Sequence, residues 1–148
     1  EGGKTAEALK ECILQPQSEV WKVREYLAGH GWAVTAEDMV EEDHKFYPMI
    51  KAVRGLPEYY EEYEYIYGKK LLEMKHPVLK KFLLRERGIQ EDIRHRLMSS
   101  GKSSAAELRL LQLEDEMKQT KRALECYGIM CDEKGRAEHD MQRDNGND

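Results

Sequence analysis

The sequence predicts a mixed α/β segment followed by an antiparallel α-helical hairpin packed as a coiled coil. Three observations predict it. An apolar run at residues 12–15 closes on Pro16 and feeds an amphipathic helix pattern. Two apolar and aromatic runs, 32–40 and 45–53, flank the acidic Glu41-Glu42-Asp43-His44 and make a hairpin. Two later stretches repeat apolar residues at helical spacing on either side of a polar turn at 99–103. At 148 residues the chain is one domain, or one and a piece. Its 40% apolar and 36% charged residues suit long solvated helices better than a compact sandwich.

Residues 1–11 read as a loop and a weak helix, with Ala6, Ala8 and Leu9 as apolar positions. The strand at 12–15 ends where Pro16 lacks an N–H. Ser18 is a good N-cap, because its hydroxyl oxygen can accept from first-turn N–H groups. Val20, Val23, Tyr26 and Leu27 then share one helical face, and Gly29-His30-Gly31 stops the helix. Pro48 falls inside the second hairpin strand, so it belongs at a bulge or where no ladder partner is needed.

After Leu56-Pro57 the texture changes. Residues 58–67 are acidic and Tyr-rich, and Gly68 breaks them. Leu71, Val78, Phe82, Ile89, Ile93 and Leu97 mark one seam of a long helix. Pro77 starts a new segment of it or kinks it, and Gly88 weakens it by roughly 1 kcal/mol relative to Ala. Ser104-Ala105-Ala106-Glu107 fits a capping box. Leu110, Leu113, Met117, Thr120, Leu124 and Tyr127 alternate steps of three and four, as an a/d seam does. Residues 131–148 are almost without apolar side chains and are expected to be disordered. The expected division is 1–55, 56–130 and a tail at 131–148.

The net charge is −5, which argues against global attraction to nucleic acid. Only residues 69–102 are positive, with ten bases against four acids. Those bases are Lys69, Lys70, Lys75, Lys80, Lys81, Arg85, Arg87, Arg94, Arg96 and Lys102. Such a stripe can bind RNA by releasing phosphate counterions. The plainer reading is a solvated helix face that pairs with the acidic 58–64 segment or with the partner helix. Cys12, Cys126 and Cys131 are odd in number and lack metal-ligand spacing, which fits reduced thiols in a cytoplasm. No apolar run reaches the roughly 20 residues that a bilayer requires, and no signal-peptide pattern opens the chain.

No nucleophile-and-base constellation is visible. His30, His44, His76, His95 and His139 are scattered and exposed by pattern, so no metal site is expected. The acidic run 37–43 reads as a solvated hairpin tip, since it lacks calcium-loop spacing. No Gly-rich phosphate loop follows a strand. Gln15 and Gln17 flank Pro16 at a strand end. They could satisfy backbone groups of the turn, or hydrogen-bond a base edge if a sheet neighbour completes a cleft there.

These residues carry a resemblance. Ile13-Leu14-Gln15-Pro16-Gln17, Val23-Arg24-Glu25-Tyr26-Leu27, Gly31-Trp32, and Glu41-Glu42-Asp43 with Lys45 and Tyr47 resemble the second half of the bacterial S-adenosylmethionine-dependent tRNA (adenine(22)-N1)-methyltransferases. Tyr67-Gly68, Leu71-Leu72 and Lys75-His76-Pro77 followed by Leu83 are similar to that family's C-terminal helical extension. The likeness covers roughly residues 1–127. His44 stands where the family usually has Gly, and Pro48 where an acidic residue is common.

The resemblance implies a class I Rossmann-like methyltransferase sheet. The 12–15 strand would be its fifth of seven, and the hairpin its last two, with an antiparallel strand beside the fifth. The family's acidic-glycine cofactor motif and Gly-Met-Gly-Gly motif lie upstream and are not in this sequence, which also does not begin with Met. The chain is therefore expected to be a fragment, inactive alone. S-adenosylmethionine would serve the parent enzyme, with none bound here. Gln15, Pro16 and Gln17 would line the substrate pocket, and the basic helix would grip tRNA. The exposed sheet edge or the helical hairpin would support a homodimer. The alternative from another class is a non-enzymatic helical module that binds a protein partner's helix.

Overall fold

The computed structural model describes residues 10–101 and 103–130. The chain divides into two compact units, Glu1–Leu79 and Lys80–Asp148. The Tyr-rich residues 56–67 thus lie in the first unit. The tail at 131–148 lies outside the described residues.

The first unit holds strand β1 (Glu11–Leu14), helix α1 (Val20–Gly29), strands β2 (Trp32–Glu42) and β3 (Lys45–Arg54), and short helices α2 (Glu62–Tyr67) and α3 (Lys69–Glu73). Helix α4 (Pro77–Ser99) begins in this unit. The sheet order is β1-β3-β2, with both pairings antiparallel. The antiparallel β3 beside β1 is the arrangement that the class I resemblance implies.

Leu27, Trp32, Ile50 and Ala52 form the core of the unit, with Cys12, Leu14, Val20, Val23 and Val34 packed against them. Helix α1 therefore lies on the sheet face that carries Cys12, Leu14, Ile50 and Ala52. Two expectations for α1 are corrected. Glu19, in the left-handed region at φ 48°, occupies the N-cap instead of Ser18, and no side chain caps the helix. Its carboxylate accepts from Lys22 Nζ at 3.0 Å. Tyr26 is exposed, and Arg24, one turn from Val20 and Leu27, is buried on that face instead.

One inserted residue shapes β2. The register runs Val34↔Ala52 and then Ala36↔Lys51, leaving Thr35 as a bulge. Trp32 and Val34 face α1. Without the bulge, Ala36, Asp38 and Val40 would follow them, because strand side chains alternate. The bulge reverses the alternation, so Glu37 and Met39 are buried while Asp38 and Val40 are exposed. This corrects the reading of 37–43 as a solvated tip. Only Asp43 and His44 form the turn, both at positive φ (51° and 62°). That is the two-residue type I′ connection, in a residue pair that tolerates the left-handed region. Pro48 is not at the bulge. It pairs with Met39, two residues beyond Ile50, where β1 has already ended at Leu14, so no third strand needs its N–H.

Arg24 and Glu37 form a fully buried ion pair, Nε to Oε1 at 2.7 Å. Arg24 Nη1 also donates to the carbonyls of Tyr65 (2.8 Å) and Ile66 (3.0 Å) at the end of α2. Glu37 Oε2 accepts from the backbone N–H of Lys70 (3.1 Å) and Leu71 (3.4 Å) at the start of α3. The pair thus caps two helix ends at once. Gly68 sits between them at φ 103°, where an added Cβ would lie 2.6 Å from Glu37 Oε2.

The predicted seam from Leu71 onward is also corrected. Leu71 belongs to α3, and Lys75, in the left-handed region at φ 50°, separates α3 from α4. Pro77 starts α4, as its missing N–H favours. His76 is not exposed, with only 12% of its side chain accessible. Its Nδ1 accepts from Val78 N–H at 3.2 Å, and its Nε2 lies 2.7 Å from Asp38 Oδ1.

The second unit comprises the rest of α4 and helix α5 (Ser104–Glu125). Ser103, not Ser104, is the N-cap, accepting from Ala106 N–H at 3.1 Å. Leu83, Leu113, Ala123 and Leu124 are buried, and so are the polar Gln90, Gln119 and Thr120. Ile89, expected in the seam, is 42% exposed, and Gln90 takes the inner place. Gln90 Nε2 donates to Thr120 Oγ1 at 3.0 Å, which in turn donates to the Glu116 carbonyl at 3.1 Å. Gln90 Oε1 is buried without a partner. Helix α5 ends around Gly128 (φ 75°), with Ile129 N–H returning to the Leu124 carbonyl, as in a Schellman turn.

Candidate functional site

Beyond the C-terminal end of β1 lies a cleft of about 310 Å³. Gln15, Pro16 and Gln17 form one wall. Val40 and Glu42 of β2, and Tyr47, Pro48 and Met49 of β3, form the rest. The cleft follows from register. Ile13 pairs with Lys51, so the next residue on that side, Gln15, comes level with Met49. Val40 pairs with Tyr47, and Glu42 with Lys45. Past the bulge, Val40, Glu42, Tyr47 and Met49 all point away from α1, and the Gln-Pro-Gln segment leaves the ladder beside them. The sequence-predicted pocket residues are therefore brought together, with a sheet neighbour completing the cleft. Sequence reasoning missed Val40, Glu42, Tyr47 and Met49 as lining residues. Their alternation was readable, but the bulge that sets which face they take was not.

Neither Gln15 nor Gln17 makes a side-chain hydrogen bond among the described residues, so neither amide is tied up by the turn. The Glu42 carboxylate likewise has no ion pair there, whereas Glu41, on the opposite face, lies 4.0 Å from His44 Nδ1. Asp38 is held below the usual aspartate range, chiefly by the Met39 N–H and then by His76.

The basic residues fall into different situations. In the first unit, Lys70 and Lys69 pair with Glu58 at 2.9 and 3.4 Å, and Lys69 also donates to the Tyr59 carbonyl. The hydrogen bond that Lys70 donates to Glu58 lowers the Glu58 pKa and raises that of Lys70. For these two the plainer reading, pairing with the acidic segment, holds. Lys75 is exposed. In the second unit Lys80, Lys81, Arg85 and Arg96 are exposed on α4, and Arg87 and Arg94 are half-buried. Lys102 lies outside the described residues. Glu86, half-buried beside these cations, has its pKa raised by burial.

The cleft does not fit S-adenosylmethionine by itself. The turn between β1 and α1 contains no glycine, and the α1 N-terminus is occupied by the left-handed Glu19 with its carboxylate on Lys22. Among the described residues no three His, Cys, Asp or Glu side chains group to hold a metal ion, and no helix is long and apolar enough to cross a membrane.

The chain is similar to several solved structures. A Listeria monocytogenes protein superposes with a TM-score of 0.77 at 22% identity, over 83% of this chain and 54% of that one. The B. subtilis m1A22 tRNA methyltransferase TrmK gives 0.67 at 23% identity, over 77% and 51%. M. capricolum TrmK, solved with S-adenosyl-homocysteine, gives 0.65 at 16% identity, over 79% and 50%. The chain spans about half the length of these structures. No curated protein sequence matches it. The family model for tRNA (adenine(22)-N(1))-methyltransferase, TrmK, matches residues 1–122. A match over that much of the chain, on a sheet whose antiparallel β3 flanks β1, makes this protein a member of the TrmK family.

Proposed function

We propose that the chain serves N1-methylation of an adenine in tRNA, as the substrate-side part of a methyltransferase and its helical tRNA-binding extension. One observation carries this reading. In a TrmK-family chain, a cleft opens at the C-terminal end of β1, walled by Gln15, Pro16 and Gln17 and completed by the neighbouring strands. Open α/β sheets bind ligands at that end of their strands. Adenine N1 already has a nucleophilic lone pair, so the protein's part is to orient and desolvate a base drawn out of its stack. The two free amides suit an exposed base edge.

In the same reading, α4 and α5 form the helical hairpin, and Lys80, Lys81, Arg85 and Arg96 grip the phosphate backbone without reading sequence. The reading places the protein in the cytoplasm with its substrate. It also includes self-association through the helical hairpin or through β1, an outer strand of the described sheet whose Ile13 is 68% exposed. A monomer by light scattering at micromolar concentration counts against that part.

The test of the whole is tRNA binding across a salt series. Affinity should fall steeply with salt, and the triple variant Lys80→Ala/Lys81→Ala/Arg85→Ala should reduce the slope by about 2–3, roughly one for each lost phosphate contact. Binding that ignores salt and these substitutions would instead favour a helical module for a protein partner.

A further inference from the structure

The same cleft carries an aromatic ring and a carboxylate that its two glutamines do not explain. Val40 and Tyr47 are direct cross-strand partners on the face turned away from α1, yet they remain 42% and 37% exposed. The Tyr47 ring is therefore a half-bare platform at the cleft wall. Glu42 stands on the same face of β2, two residues beyond Val40. At about 3.3 Å per residue this places it about 7 Å farther along the strand, on the scale of a purine ring system. Its carboxylate has no ion pair among the described residues, although Lys45 is its register partner.

We propose that this cleft binds a positively charged purine, an adenine alkylated at N1, between the Tyr47 ring and the Glu42 carboxylate. The inference rests on the reading of the cleft as the base site and names what that site recognises. Neutral adenine offers a ring to stack and an edge that amides can match. Adenine alkylated at N1 is cationic near neutral pH, with its charge shared with the exocyclic nitrogen. A carboxylate that accepts from that nitrogen is worth more to the cation than to the neutral base. Tyr47 would serve both forms by stacking, and Glu42 would distinguish them. A group that favours the charged form also favours the state in which that charge is developing.

The probes are adenosine and 1-methyladenosine, titrated into the isotopically labelled chain and followed on the side-chain amides of Gln15 and Gln17. The expected result is that 1-methyladenosine binds about tenfold tighter than adenosine, as a charge-assisted hydrogen bond supports. Glu42→Gln should erase that preference by weakening 1-methyladenosine far more than adenosine. Tyr47→Leu should weaken both nucleosides about tenfold, the value of a lost stack, and Tyr47→Phe should retain them. Nucleosides that perturb Gln15 and Gln17 equally, with or without Glu42, overturn this proposal and spare the base-site reading. Nucleosides that perturb neither glutamine overturn both. Should Tyr47→Leu fail to fold, the exposed Glu42→Gln change carries the test by itself.

Discussion

The two units bury polar side chains in contrasting ways. In the first, Arg24 and Glu37 are fully buried, and each has backbone partners besides the other. In the second, Gln90 and Thr120 meet through one hydrogen bond, and Gln90 Oε1 faces no donor. A buried charge pair is tolerable only when its remaining donors and acceptors are matched. A neutral amide can be left half-matched at lower cost. The first arrangement is thus integral to its unit, whereas the second contributes little net stability.

The sharpest way to break that contrast is Arg24→Met. It strands the Glu37 carboxylate and frees the Tyr65 and Ile66 carbonyls, so a loss of about 3–5 kcal/mol is expected. Both tryptophans, Trp21 and Trp32, lie in the first unit, so urea unfolding followed by their fluorescence measures it. A loss below about 1 kcal/mol would put the pair on the level of an exposed salt bridge. Next in size is Gly68→Ala. The new methyl meets Glu37 Oε2 and Arg24 Nη2 at a φ of 103°, and strain of this kind costs about 2 kcal/mol. The same unfolding curve reads it.

Gln90→Met probes the other side. Thr120 keeps its bond to the Glu116 carbonyl, and the orphan acceptor disappears. The helical signal should then melt within about 1 kcal/mol of the parent, or above it. A large loss would mean that the polar contact specifies the unit after all.

The smallest effects are in pH, and their signs oppose. The Asp38 pKa is lowered, so its stabilisation is present above the ordinary aspartate range and lost as pH falls through its depressed value. The Glu86 pKa is raised, so the second unit is most stable below the ordinary glutamate range and loses that advantage as pH rises through the raised value. Acidification from about pH 6 to about pH 3 should weaken the first unit, less so in Asp38→Asn. Glu86→Gln should remove the opposite trend from the helical melt.

Much of the fold was legible because it depends on local chemistry. Pro16 follows the end of a strand, Pro77 starts a helix, and a turn within residues 41–44 closes a hairpin, each through its own backbone preference. The capping expectations missed by one residue. Ser103 and Ser104 offer equivalent hydroxyls, and only the path of the incoming chain chooses between them, whereas at α1 the left-handed Glu19 takes the place of Ser18 and no side chain caps the helix. The helical seam drifted for a similar reason, since Gln90 replaced Ile89 once Thr120 supplied a partner across the interface.

What the sequence determined by itself was the order of the three strands, the first helix and the two long helices, the family to which Gln15-Pro16-Gln17 and the acidic hairpin belong, and the place of two glutamines at the end of β1. What only the tertiary structure decided was the fate of the acidic run. A single extra residue at Thr35 reverses side-chain alternation, burying Glu37 against Arg24 and turning Val40 and Glu42 toward the cleft. Inserting one residue in a strand leaves composition and spacing ordinary. Its consequence appears only when the neighbouring strand sets the register.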